Sequence, residues 1–125
     1  MGFFSRNTEK STFPWEYITS TEQLTEVLST TNEKPVLLFK HSTRCSISAM
    51  ALQGFERNWT SESEFCGLYF IDLLKHRDVS NLAEELTGIS HQSPQVIVIK
   101  GKEVVYDASH SSIDPRRIES ILKKG

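Results

Sequence analysis

Val36-Leu37-Leu38-Phe39-Lys40-His41-Ser42-Thr43-Arg44-Cys45-Ser46-Ile47-Ser48 runs from an unbroken apolar segment into a cysteine just where a helical pattern begins. The apolar run, bounded by Asn32 and Pro35 before it and polar residues after it, reads as a strand buried on both faces and central in a sheet. A cysteine at the following helix start meets first-turn N–H groups that lack partners within the helix, and the positive end of the macrodipole. Both favour the thiolate. Ser48 holds the second position of what would be a C-x-x-C pair. Cys45 can therefore attack a disulfide but cannot close an internal one with its i+3 neighbour.

Working outward, Ser20-Thr21-Glu22-Gln23 is a capping-box pattern followed by Leu24, Val27 and Leu28, which predicts a helix over about 21–30. A short strand is possible just before it, over 17–19. Beyond Cys45, the residues Ile47, Met50, Ala51, Phe55 and Trp59 recur at three- and four-residue intervals and predict a helix over 46–58, with that set as its apolar stripe. Leu68 to Asp72 is the next strand. Val79, Leu82, Ala83 and Leu86, with Gly88 as the stop, give a helix over 78–87. Val96–Ile99 and Glu103–Tyr106 flank Lys100-Gly101-Lys102, a hairpin signal. Asp114-Pro115 then places a cap and a first-turn proline before Ile118, Ile121 and Leu122. Strand–helix–strand units require parallel crossovers and the hairpin adds antiparallel strands. The fold class is α/β, a thioredoxin-like layout with a mixed central sheet and helices on both faces.

The 125 residues suffice for a single domain, expected over 15–125, behind a poorly ordered lead-in over 1–14 that contains the Phe3-Phe4 pair. A net charge of −2, with 14 dispersed Lys and Arg residues, leaves no basic footprint for nucleic acid. The N-terminus shows no signal-peptide core and no run reaches membrane-spanning length. Two cysteines in a chain able to build its own core do not suggest a disulfide scaffold, so the expected setting is a reducing cytoplasm. Neither nucleic acid nor membrane is an expected partner, and the expected state is a monomer or weak dimer.

Cys45 is the candidate nucleophile, because its polar neighbours Ser42, Thr43, Arg44, Ser46 and Ser48 argue against a merely buried thiol. Thr43, Arg44, Ser46 and Ser48 are expected to support it; the Ser48 hydroxyl could donate to the sulfur or serve only as a first-turn helix residue. Lys40 and His41, with Arg44, would make the surroundings electropositive and bind a carboxylate-bearing thiol. Cys66, between Phe65 and Gly67, reads as a packing residue, with resolving thiol as the alternative. No metal site is expected, since His76, His91 and His110 are scattered.

Three landmarks together resemble the thioredoxin superfamily: the strand leading into Cys45, Gly88-Ile89 before Ser93-Pro94, and the hairpin that follows. The resemblance implies that Pro94 is a cis-proline facing Cys45 and that the Ser93 backbone pairs with an extended ligand. More narrowly, Lys40 to Ser48 with His91-Gln92-Ser93-Pro94-Gln95 resembles the glutaredoxin-like monothiol bacilliredoxins of low-GC Gram-positive bacteria, over about 16–122. Ser46 stands where that family commonly has proline, which keeps a backbone N–H at the helix start. The family implies a monothiol thiol–disulfide oxidoreductase whose partners are S-thiolated proteins. Its co-substrate would be a low-molecular-weight thiol, bacillithiol, with no tightly bound cofactor. Dithiol exchange through Cys45 and Cys66, a non-catalytic binding module and an iron–sulfur carrier remain as alternatives.

Overall fold

The computed structural model describes residues 13–60 and 65–124. The expectations for residues 1–12, the Phe3-Phe4 pair included, lie outside the described residues. The chain runs β1 (Glu16–Tyr17), α1 (Thr21–Leu28), β2 (Val36–His41), α2 (Ser46–Asn58), β3 (Gly67–Asp72), α3 (Arg77–Thr87), β4 (Gln95–Lys100), β5 (Glu103–Ser109), a 3-10 turn (His110–Ser112) and α4 (Pro115–Lys124).

The five strands form one sheet in the order β1-β3-β2-β4-β5, parallel across β1, β3 and β2 and antiparallel onward through β4 and β5. The apolar run that begins at Val36 is thus the middle strand. Because successive side chains of a strand point to opposite faces, Val36 and Leu38 join one core with Leu24 and Val27 of α1 and Val79 and Ala83 of α3. Leu37 and Phe39 join the other, with Phe55 of α2 and Ile118 and Leu122 of α4. Phe39 sits within 5.6–6.4 Å, centroid to centroid, of the rings of Trp15, Phe55 and Phe70. Phe13, placed in the lead-in by sequence, packs on the Trp15 and Phe55 rings.

Local chemistry sets the element ends. Ser20 Oγ accepts from Gln23 N–H at 3.1 Å, and Gln23 Oε1 reaches back to accept from Thr19 N–H at 2.9 Å, so α1 opens with a reciprocal cap. Asp114 Oδ1 accepts from Arg116 N–H at 3.1 Å and so caps α4 ahead of Pro115. Gly88 closes α3 at φ 75°, a left-handed position that a Cβ would disfavour. Gly101 and Lys102 turn the hairpin with φ of 59° and 67°.

Three expectations need correction. β2 does not stop at Phe39 but continues through Lys40 and His41, both buried. β5 runs on to Ser109 instead of ending at Tyr106. Ile47 and Met50 are 59% and 72% exposed, so the apolar stripe of α2 has a wet N-terminal end, while its Phe55 and the following Trp59 join the core and Leu52 packs against it.

Candidate active site

At the C-terminal end of β2 the chain leaves the sheet, turns and starts α2. The turn is closed by Cys45 N–H donating to Ser42 O at 3.1 Å, and Cys45 O accepts the first helical bond, from Ala49 N–H, at 3.0 Å. Cys45 is therefore the N-cap, extended at φ −109° and ψ 120°, and its side chain makes no capping bond. It is partly exposed, and Thr43, Arg44 and Ser46 around it are exposed. A sulfur that is accessible, uncommitted and set at the positive end of a 13-residue helix is in a suitable place for nucleophilic attack.

Ser48 does not serve the sulfur. It is fully buried, its Oγ lies 2.7 Å from His41 Nδ1, and the same Oγ accepts from Ser42 N–H at 3.2 Å. Burial holds the His41 imidazole below the ordinary histidine pKa, against a smaller opposing pull from Asp72. In the neutral ring the Ser48 hydroxyl donates to Nδ1 in one tautomer and accepts from it in the other, so the bond is kept in both. The residue at the i+3 position thus pins the end of β2 to the first turn of α2 and fixes the turn that carries Cys45.

Lys40 and His41 are not the solvated cations the sequence suggested: both are buried, and His41 borders the cleft beside the Cys45 turn. Lys40 is fully buried, on the α1–α3 side of the sheet, and its Nζ donates to Ser80 O at 3.2 Å and lies 3.4 Å from His91 Nδ1. Burial pushes its ammonium down to about 8, with Glu84 opposing. His41 points to the other side, under Phe70, with ring centroids 5.5 Å apart. Both alternate with apolar residues along β2, so strand geometry buries them as surely as it buries Leu38 and Phe39.

Ser93-Pro94 is cis. The antiparallel register pairs Lys40 with Gln95, which brings Pro94 to the end of β2 from which the Cys45 turn departs. Pro94 O accepts from His110 N–H at 3.1 Å, tying this segment to the end of β5. Ser93 Oγ is buried and finds no hydrogen-bond partner among the described residues. Such an orphan, at the end of the sheet from which the Cys45 turn departs, is a position a bound ligand can satisfy.

Cys66 lies at the opposite end. It precedes Gly67, which pairs with Val36, whereas Cys45 follows His41. The five residue steps from Val36 to His41 alone span about 16 Å, and a disulfide needs Cα atoms within about 7 Å. Cys66 is fully buried, and burial pushes its thiol up to about 12. It is a packing residue of the α2–α4 core.

A cleft of about 360 Å³ opens beside the Cys45 turn, with Thr43, His41, Gln53 and Glu56 among its walls. A shallower groove on the other side of α2 begins at Ile47 and Met50 and ends at His110 and Pro115. Among the described residues no group of three His, Cys, Asp or Glu side chains could hold a metal ion, and no helix is long and apolar enough to cross a membrane.

Sequence reasoning missed Ser80 and Gln95, which hold the segment before Pro94. Ser80 carries no signal of its own on α3, and Gln95 stands one residue before the apolar run that predicts the strand from Val96.

Comparison with known proteins gives the same picture. The model of a family described as Monothiol bacilliredoxin BrxC matches residues 16–118. A protein described by its thioredoxin fold is 26% identical, with a TM-score of 0.71 over 84% of this chain and 90% of its own. Thioredoxin from Malassezia sympodialis is 20% identical, with a TM-score of 0.65 over 88% and 89%. Thioredoxin from Trypanosoma brucei brucei is 11% identical, with a TM-score of 0.67 over 99% and 96%. The last two share the fold.

Proposed function

The chain belongs to the monothiol bacilliredoxin family, a branch of the thioredoxin fold with redox function, and from this we propose that it is an enzyme that removes bacillithiol from protein mixed disulfides through Cys45. The Cys45 thiolate attacks the bacillithiol sulfur. The protein–bacillithiol S–S bond breaks as the Cys45–bacillithiol S–S bond forms, and the protein sulfur leaves as a thiolate that takes up a proton. A second bacillithiol thiolate then attacks the bacillithiol sulfur of the adduct, releasing oxidised bacillithiol and restoring the Cys45 thiolate. Each turnover consumes one free bacillithiol: its sulfur is oxidised to the disulfide level as the protein sulfur is reduced to a thiol, and the bacillithiol first carried by the protein stays at the disulfide level throughout.

The observation that carries this reading is that Cys45 has no thiol to turn to. Ser48 occupies the i+3 position and is bonded to His41 and Ser42, and Cys66 stands a strand's length away. The cis Ser93-Pro94 segment, at the same end of the sheet, offers its backbone to an extended partner. Thr43, Arg44 and Ser46 line the approach, with Arg44 the exposed cation closest in sequence to the sulfur. The proposed setting is the cytoplasm. The test is release of bacillithiol from a thiolated protein by the wild type and by Cys45→Ala. The variant should keep its fold and lose the activity; activity retained without Cys45 removes the proposal.

A further inference from the structure

We infer that Lys40 is a positioning residue that acts through His91, its buried ammonium fixing the 90–93 segment so that Ser93 meets the incoming disulfide already in place. The inference rests on the proposed exchange reaction, in which that segment receives the ligand.

A lysine taken wholly out of water is costly unless its charge is met by good partners. Lys40 finds them in the two elements that flank the segment. Its Nζ donates to Ser80 O of α3 at 3.2 Å and approaches His91 Nδ1 at 3.4 Å, while Ser80 Oγ lies 3.4 Å from the same ring nitrogen. Glu84 of α3 supplies the compensating charge. Desolvation, then the Lys40 charge, keep the His91 ring in its neutral, accepting form, with Glu84 opposing and Arg77 assisting. A strand and a helix therefore converge on one imidazole nitrogen two residues before Ser93.

The residues on either side of His91 are held as well. Gln95 is 2% exposed, and its Nε2 donates to Ser90 O at 2.9 Å while its Oε1 accepts from Gln92 N–H at 3.4 Å. Lys40 and Gln95 are direct partners in the antiparallel register of β2 and β4, so their side chains stand on the same face as neighbours. Residues 90, 91 and 92 are thus each tied by a buried side chain at the ends of two adjacent strands. The next residue, Ser93, carries the unpartnered hydroxyl. A recognition segment ordered before the ligand arrives avoids the entropy cost of ordering on binding.

The test uses the full chain, a protein mixed disulfide carrying bacillithiol, and the variants Lys40→Met, His91→Ala and the double variant. Each single change should raise KM about tenfold, the scale of one lost charge-assisted hydrogen bond, with kcat little changed. The double variant should be no worse than either single one. Alkylation of Cys45 by iodoacetamide, which needs no docking segment, should keep its wild-type rate in all three. Additive effects, or an unchanged KM in His91→Ala, overturn the inference. His91 is exposed, so its variant decides the matter even if Lys40→Met fails to fold. Amide hydrogen exchange at Gln92 and Ser93 reads the clamp without activity and should quicken about tenfold in both single variants. An inactive wild type with this quickening upholds the clamp and removes the exchange reaction. Unchanged exchange rates overturn the clamp whatever the activity.

Discussion

Replacing Ser48 by alanine should destabilise the protein more than the loss of one oxygen suggests. The hydroxyl is fully buried and serves two partners, the His41 ring at 2.7 Å and the Ser42 N–H at 3.2 Å. Neither can turn to water in place, because His41 is itself buried and Ser42 is half-buried. A buried polar group left without its partner costs about 1–3 kcal/mol, so the two together put the loss at about 2–6 kcal/mol. For a domain of this size each kcal/mol moves Tm by about 4 °C, which places the expected fall at about 8–24 °C. Urea denaturation of wild type and Ser48→Ala at neutral pH measures it directly, with unchanged m-values confirming that the folded states are equally compact. A loss below about 0.5 kcal/mol, the range of an unremarkable surface change, would refute the assignment of Ser48 as the pin between β2 and α2. It would return the hydroxyl to the sulfur.

Stability should rise with pH between 8 and 9. Burial brings Lys40 from 10.5 to about 8 in the folded state, so over that window the unfolded chain binds a proton the folded one has lost, worth up to about 1.4 kcal/mol per pH unit. Cys66 opposes this from pH 9 upward, because its folded value of about 12 exceeds the ordinary 9.0, and the rise should flatten there. Urea midpoints across pH 7–10 check both, and a Lys40→Met variant that still shows the pH 8–9 rise contradicts the assignment. The two thiols should also separate sharply in reactivity: at neutral pH iodoacetamide should modify Cys45 and leave the buried Cys66 untouched until the protein unfolds. Equal rates at the two sites would deny the burial of Cys66.

The parts of the fold that were legible in the sequence are those fixed by local chemistry. Val36 to Phe39 announces a central strand because nothing polar interrupts it, Ser20 and Asp114 announce helix starts because their side chains cap backbone N–H groups nearby, and Gly101 allows the hairpin its positive φ. The Cys45 position followed from the same local signals. What stayed hidden depends on partners far along the chain. Lys40 reads as a solvated strand end, since lysine is seldom buried. Its burial is decided by Ser80, forty residues on. Ile47 and Met50 satisfy helical periodicity but lie on the first turns of α2, where no other element among the described residues covers them. Ser48 could be placed at the first turn of α2 from sequence, but its partner His41 could be known only from where β2 ends.

The central claim is that Cys45 works alone, and the most direct measurement is the intact mass of the protein during turnover on a bacillithiol mixed disulfide, with free bacillithiol withheld. The account predicts a single bacillithiol adduct, located on Cys45, that persists until more of the thiol is added, in wild type and Cys66→Ala alike. A species two mass units lighter, carrying a Cys45–Cys66 disulfide, or rapid loss of the adduct without added thiol, would contradict it.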